Sequence, residues 1–205
     1  MNVAREQLAR VGVEIEPRGQ WPTAISRLGV PVSGRLSADE GMRPGRAVAR
    51  LTDLGWGQRL RSVLAQDAPA SEDLLRACVD VLRDWDWHER PVGVVAMPSR
   101  RRPDLVASVA EGLASIGRLP FLGTLDLVDG GPVGEPGGNS AFRLAAVWDR
   151  FAVGTTLSAT LAESTGPVLL VDDVVDSRWT VTVAARTLRL GRADAVLPFA
   201  LAAQS

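Results

Sequence analysis

The second half of the chain alternates between short apolar runs and segments with helical periodicity. Four runs have the length and apolar character of strands that are buried on both faces: VGVVAM (92–97), FLGTLDLV (121–128), VLLV (168–171) and AVLPFALA (195–202). Between them the pattern predicts helices over residues 103–117, 139–151 and 180–190. Buried strands separated by helices are typical of an α/β fold with a parallel sheet, in which ligands bind at the carboxyl ends of the strands.

A further helix is predicted from Ser71 onward, where the segment SEDLLRACVDVLRDWDW repeats apolar residues at helical spacing. Cys78 lies on this apolar stripe, and His88, the only histidine of the chain, lies past the end of the helix. We therefore expect Cys78 to be a thiol of the core rather than a nucleophile.

The N-terminal part of the chain is interrupted so often by proline and glycine that long regular elements are not expected before about residue 45. The pattern predicts a short helix over 2–10, a hairpin near 28–36 and an arginine-rich helix from about residue 46. We accordingly divide the chain into an irregular and helical, Arg-rich segment (1–66) and an α/β domain (67–205).

The composition excludes several kinds of chemistry. All 23 basic residues are arginine, so the chain lacks the lysine that a phosphate-binding P-loop or a Schiff-base enzyme requires. One cysteine and one histidine cannot form an internal disulfide or a His-rich metal site. With a net charge of −1 and no apolar run long enough to span a membrane, we expect a cytoplasmic protein without a membrane partner.

Residues 167–180, PVLLVDDVVDSRWT, place three carboxylates and an arginine directly after a predicted buried strand. In a parallel sheet this position opens onto the N-terminus of the next helix, where backbone N–H groups bind anions. Carboxylates accept hydrogen bonds from sugar hydroxyls or hold a cation, and the amides that follow them can bind a phosphate. The order of acids first and helix-start amides next therefore favours a phosphorylated sugar as ligand.

The stretch VLLVDDVVDSRWT resembles the phosphoribosyl-pyrophosphate (PRPP) motif of type I phosphoribosyltransferases. The resemblance implies that Asp172 and Asp173 hold the ribose hydroxyls and that Asp176 stands where some members keep a candidate general base. It further implies that the loop after them surrounds the 5′-phosphate, through Ser177, Arg178, Trp179 and Thr180. Magnesium (Mg) would be bound only together with PRPP.

Two other segments fit the same family, which the chain resembles over about residues 90–205. MPSRRRP (97–103) resembles the pyrophosphate loop of the family, with candidate phosphate contacts from Ser99, Arg100, Arg101 and Arg102. Residues 129–140 resemble its flexible lid.

Arg178 departs from the family motif, which has a glycine at this position. If the position needs a positive φ, the arginine costs about 1–2 kcal/mol. A charge-assisted bond from arginine to phosphate contributes about 1.5–3 kcal/mol in return. Phosphate binding is therefore expected, whereas transferase activity stays open.

Nearly the whole chain also resembles the C-terminal region of RecQ-type ATP-dependent DNA helicases from actinobacteria, on segments such as QWPTAISRLGV, WDWHERPVGVVAMPSRRRP and NSAFRLAAVWDRF. This resemblance implies a non-catalytic, phosphoribosyltransferase-like accessory domain for DNA repair. Its partners would be DNA and a helicase motor region, and its ligand the phosphates of DNA or of a nucleotide. Two alternatives stay open: an active phosphoribosyltransferase that uses PRPP and Mg, and a structural domain that docks on the motor or forms a homodimer.

Overall fold

The structure, a computed structural model, describes residues 12–133 and 138–204. Its strands are β1 (Val13–Ile15), β2 (Gly45–Arg50), β3 (Gly93–Ala96), β4 (Phe121–Thr124), β5 (Asp126–Leu127), β6 (Phe151–Ala152), β7 (Pro167–Val175) and β8 (Ala195–Ala203). Its α-helices are α1 (Trp56–Val63), α2 (Glu72–Arg83), α3 (Pro103–Gly117), α4 (Ser140–Val147), α5 (Thr155–Glu163) and α6 (Trp179–Leu190), with a short 3-10 helix at Ile25–Leu28.

Six strands form the central sheet in the order β1-β2-β8-β7-β3-β4. Every neighbouring pair is parallel except β1 and β2, and β5 pairs with β6 in a separate antiparallel ribbon. β7 and β8 are the longest strands and occupy the middle of the sheet, where all nine residues of β8 are buried. The α/β fold class with a mainly parallel sheet is therefore confirmed.

Helices and loops cover both faces of the sheet, so the core has two parts. One face packs against α1, α2 and α3, and its buried side chains include Leu60, Cys78 and Leu105. The other packs against the N-terminal segment, α4, α5 and α6, with Trp21, Leu144 and Trp179 among its buried side chains. Cys78 is fully buried, and burial raises the pKa of its thiol to about 12, as expected for a core residue.

The predicted helix from about residue 46 is wrong at its start, because residues 45–50 form strand β2 and the helix begins only at Trp56. β2 lies between β1 and β8, and its central residues Ala47, Val48 and Ala49 are buried. β1 and β2 precede residue 66 and yet belong to the same sheet as the later strands. The division at residues 66 and 67 stays a prediction, and the helix expected over 2–10 lies outside the described residues.

Two strand boundaries also differ from those predicted. The apolar run 121–128 is divided at Leu125 into β4 and β5, which belong to different sheets. β7 continues to Val175, so that Asp172 and Asp173 lie within the strand rather than in the loop after it. The reason is that β8 pairs with β7 as far as Val175 and Ala203, and that both carboxylates have hydrogen-bond partners.

Three predicted helices are confirmed to within a few residues. α3 spans Pro103–Gly117, α4 is capped by the side chain of Asn139, and α6 ends at Gly191. Within the described ranges, no helix combines the length and the apolar character needed to cross a membrane.

Candidate functional site

The candidate site lies at the carboxyl ends of β3 and β7, which are parallel neighbours in the sheet. The loop after β3 carries residues 99–102, and the end of β7 leads through residues 176–178 into α6. Between these two loops lies a cavity of about 780 Å³. Its lining includes most of the residues predicted for the site: Ser99, Arg100, Arg101, Arg102, Asp172, Asp173, Asp176, Ser177, Arg178 and Thr180.

Asp173 is bound by the loop after β3 and by the backbone of its own strand. One of its carboxylate oxygens accepts hydrogen bonds from the Ser99 hydroxyl and from the Arg102 guanidinium, both at 3.0 Å. The other accepts from the backbone N–H of Val174 at 2.6 Å. The side chains of Arg102 and Asp173 are only 15% and 13% exposed, so this ion pair is largely shielded from water. The acid expected to face a ribose is thus already paired with an arginine of the facing loop.

Asp172 lies next to it and is also buried, with its carboxylate accepting the backbone N–H of Asp173 at 2.8 Å. Burial, and after it the neighbouring negative charge of Asp173, together raise the pKa of Asp172 to about 8. At neutral pH the Asp172 side chain is therefore mainly protonated and contributes little negative charge to the cavity.

Asp176, the candidate general base, forms an ion pair with Arg143 of α4 at 2.8 Å. This pair is more open to solvent than the one above, with side chains 35% and 47% exposed for Arg143 and Asp176. It closes the cavity on the side of α4 and neutralises the third acid of the motif.

Arg178 adopts the left-handed conformation, with φ of 68°, at the N-cap of α6. The motif position therefore does need a positive φ, which costs a non-glycine residue about 1–2 kcal/mol. The Arg178 side chain points to the segment after β1, where its guanidinium donates to the carbonyl of Glu16 at 3.1 Å. It does not fold onto Asp172 or Asp173.

The segment after β1 also contacts the loop 176–178 through its own arginine, Arg18. Arg18 donates two hydrogen bonds to the carbonyl of Ser177, at 2.6 and 3.2 Å, and its guanidinium lies 4.7 Å from the centre of the Trp179 ring. Each segment thus holds a backbone carbonyl of the other through an arginine. We call this pair of contacts, Arg18 to Ser177 and Arg178 to Glu16, the arginine clasp.

Trp179 is 1% exposed and does not line the cavity. Its ring stacks on Trp21 at 5.9 Å between centroids, and its indole N–H donates to the Ser140 hydroxyl at 2.8 Å. Of this residue, only the backbone at the start of α6 could contact a phosphate in the cavity. Thr180 follows it and does line the cavity.

The cavity is strongly basic although the motif is acidic. Six arginines line it against three aspartates, because Arg61, Arg143 and Arg178 join the three arginines of the loop after β3. Arg100 donates to the carbonyl of Gly130, and Arg101 is exposed. Ion pairs neutralise two of the acids and protonation the third, so the cavity retains a net positive charge.

The acids of this site are not arranged as ligands of a metal ion. Within the described residues, no three side chains of His, Cys, Asp or Glu converge as a metal site would require. Asp173 is bound by Arg102, and Asp172 favours its protonated form. This donor set does not fit a magnesium ion held by the protein alone.

Three arginines of the site were not predicted from the sequence. Arg143 stands four residues after the Asn139 cap and faces the cavity from α4. Arg18 contacts the loop 176–178 from the segment after β1, and Arg61 lines the cavity from α1. The helical spacing from Asn139 gives a signal for Arg143 only once α4 is known to pack beside α6. Arg18 and Arg61 carry no local signal.

Comparison with known proteins identifies no family and only distant structural similarity. No protein-family model matches the chain, and no curated protein does. Among solved structures, adenine phosphoribosyltransferase from Leishmania tarentolae is similar at a TM-score of 0.40 and 13% identity, over 65% of this chain and 72% of that one. Adenine phosphoribosyltransferase from Leishmania donovani is similar at 0.39 and 14%, over 65% of this chain and 66% of that one.

Proposed function

We propose that this chain is a non-catalytic phosphate-binding module, an accessory domain of a RecQ-type DNA helicase, which binds phosphate groups of DNA or of a nucleotide in the cavity beside β7. One observation carries the proposal: the acids of the sugar-phosphate motif are paired or protonated, while arginines surround them. The helicase motor region as partner comes from the resemblance of the sequence, and so does the assignment to DNA repair.

The state of the acids argues for a phosphate rather than for a ribose. A ribose needs free carboxylate oxygens to accept its hydroxyl protons, but the two oxygens of Asp173 already accept from three donors. Asp172 favours its protonated form, which weakens it as an acceptor. Of the roughly four acceptor sites of the Asp173 carboxylate one is therefore free, and a ribose that bonds to it through two hydroxyl groups would require the pair with Arg102 to open.

The arginines have the chemistry that phosphate binding needs. A guanidinium presents several N–H donors in a planar fork, and each charge-assisted bond to phosphate contributes about 1.5–3 kcal/mol. Arg100 and Arg101 are exposed on the loop after β3, and both line the cavity. A phosphate can therefore reach them without the loss of a buried contact.

The proposal is tested by fluorescence anisotropy with a labelled single-stranded thymidine oligonucleotide. We expect binding at about 50 mM salt that weakens steeply as salt rises, because each neutralised phosphate releases counterions. Arg100→Ala and Arg101→Ala should each weaken binding about three- to tenfold. Arg76→Ala, which removes an exposed arginine paired with Asp73 on α2, is the matched control and should have no effect.

Absence of binding at low salt would refute the DNA form of the proposal. So would an Arg100→Ala variant that binds as the Arg76→Ala control does. The same oligonucleotide labelled at its other end excludes a contribution from the dye.

An active phosphoribosyltransferase is the second candidate. The observation that favours it is the position of Asp172 and Asp173, which line the cavity together with the loop 99–102. Calorimetry with PRPP and magnesium tests it: heat of binding, followed by release of pyrophosphate with a nucleobase, would support the enzyme. Docking on a motor and formation of a homodimer are the third alternative, and sedimentation of the isolated chain tests the homodimer.

A further inference from the structure

The loop 176–178 separates two clefts. On one side lies the cavity described above, and on the other a second cleft of about 590 Å³, whose floor is the end of β1 and of β8. The two share five residues, which form a ridge between them: Arg143, Val175, Asp176, Ser177 and Arg178. Arg18 and Arg50 line only the second cleft.

The second cleft collects positive charge at close range. Its arginines are Arg18, Arg50, Arg143 and Arg178. Burial lowers the pKa of Arg18, and the positive charges of Arg178 and Arg143 lower it further. All three line the same cleft, where Arg178 and Arg143 repel Arg18, and an anion bound beside Arg18 would relieve that repulsion.

Asp176 pairs with Arg143 at 2.8 Å, but the other two acids of this cleft compensate its arginines only weakly. Glu16 is 79% exposed and lies 3.9 Å from Arg178, at the limit of an ion pair. Glu14 is 55% exposed and is directed to Arg46, at 3.7 Å. Exposed pairs of this kind contribute about 0–1 kcal/mol. Within the described residues no ion pair joins Arg50 to an acid, so its charge is available to a ligand.

We propose that the second cleft is an anion site and that the ligand is a single strand of nucleic acid, which crosses the ridge 176–178 with successive phosphates in the two clefts. The inference rests on the proposed function, because it extends the same phosphate-binding surface. A mononucleotide fills one cleft only. A strand uses both, since Arg143 and Arg178 in the ridge face the backbone from either side.

The experiment compares a thymidine oligonucleotide of about 16 nucleotides with thymidine monophosphate, in the full chain and two variants. Arg50→Ala alters only the second cleft and Arg100→Ala only the first. Arg50→Ala should weaken binding of the long oligonucleotide about three- to tenfold and reduce the slope of its salt dependence by about 0.7. It should leave monophosphate binding unchanged, whereas Arg100→Ala should weaken both.

Two results separate this inference from the proposed function. If thymidine monophosphate binds and Arg100→Ala weakens it, but Arg50→Ala binds the long oligonucleotide like the unmodified chain, the second site is refuted and the first stands. If neither ligand binds, both are refuted. If the long oligonucleotide binds no more tightly than thymidine monophosphate, the proposal that a strand occupies both clefts is also refuted. Because Arg50 is exposed, Arg50→Ala should keep the fold, and an unfolding curve of each variant checks this.

Discussion

The ion pair between Arg102 and Asp173 joins the loop after β3 to β7, and Arg102→Met tests how much it stabilises the fold. The substitution keeps an unbranched apolar side chain and removes the guanidinium with its charge. It leaves the Asp173 carboxylate, 13% exposed, with only the Ser99 hydroxyl and the Val174 N–H as donors. It also removes the hydrogen bond from Arg102 to the carbonyl of Leu64.

The magnitude follows from the burial of the pair. Removing one partner of a buried ion pair costs about 3–5 kcal/mol, because the other charge stays buried without compensation. Since Asp173 keeps two donors, we expect the lower end, about 3 kcal/mol of the free energy of unfolding. For a domain of this size that corresponds to a melting temperature lower by about 6–12 °C.

Chemical denaturation at neutral pH measures the effect, and two further variants control it. Arg101→Met changes the exposed neighbouring arginine and should stay within about 0.5 kcal/mol of the unmodified chain. The double variant Arg102→Met/Asp173→Asn removes both charges and should recover part of the loss. A single Arg102→Met variant as stable as Arg101→Met would refute the reasoning that this pair is shielded from water.

Three further predictions concern stability. Because the pKa of Asp172 is raised, its contribution is fully present below about pH 4 and is lost as pH rises towards about 8. Asp172→Asn should therefore gain stability over the unmodified chain across this range in thermal melts, and a constant difference would contradict the raised pKa. Gly45→Ala should lose about 1–3 kcal/mol in urea unfolding, because its Cβ collides with the Pro198 carbonyl, whereas Gly19→Ala, with open space around it, should be neutral. Arg178→Gly should change the free energy of unfolding by less than about 1 kcal/mol, because relief of the positive φ offsets the lost hydrogen bond to Glu16. A loss above about 2 kcal/mol would show that the arginine clasp stabilises the fold by more than the positive φ costs.

The sequence predicts the elements whose signals are local. α3 begins at Pro103 and ends at Gly117 as expected, because proline at the first position and glycine at the end act through the backbone of the helix itself. The order of strands and helices after residue 90 follows from the same kind of signal. The positive φ at Arg178 follows from the position of glycine in the motif that the sequence resembles.

Elements that depend on distant partners are missed. In β2, Arg46 and Arg50 flank three small apolar residues, a pattern that fits a helix as well as a strand. The segment is a strand because it pairs with β8, which lies about 150 positions later in the chain. The extension of β7 through two acids is unexpected because buried carboxylates are costly without partners. Those partners, Ser99 and Arg102, lie more than 70 positions earlier in the chain.

The charge of the site could not be predicted for the same reason. In the sequence, Asp172, Asp173 and Asp176 form an acidic motif. In the fold, Arg102 and Arg143 reach two of them from other elements, and burial protonates the remaining one. An acidic motif thus becomes the floor of a basic cavity, and only the tertiary structure contains this information.

The affinity of Asp176→Asn for a single-stranded oligonucleotide tests directly whether the arginines of the cavity bind phosphate. Removal of the Asp176 charge frees Arg143 of the ridge, so a phosphate-binding module should bind about three- to tenfold more tightly, with a steeper salt dependence. Asp84→Asn removes the same charge from a more exposed pair, whose Arg83 also binds Asp80, and should leave affinity unchanged. An Asp176→Asn variant that binds more weakly, or that loses a transferase activity present in the unmodified chain, would contradict the account.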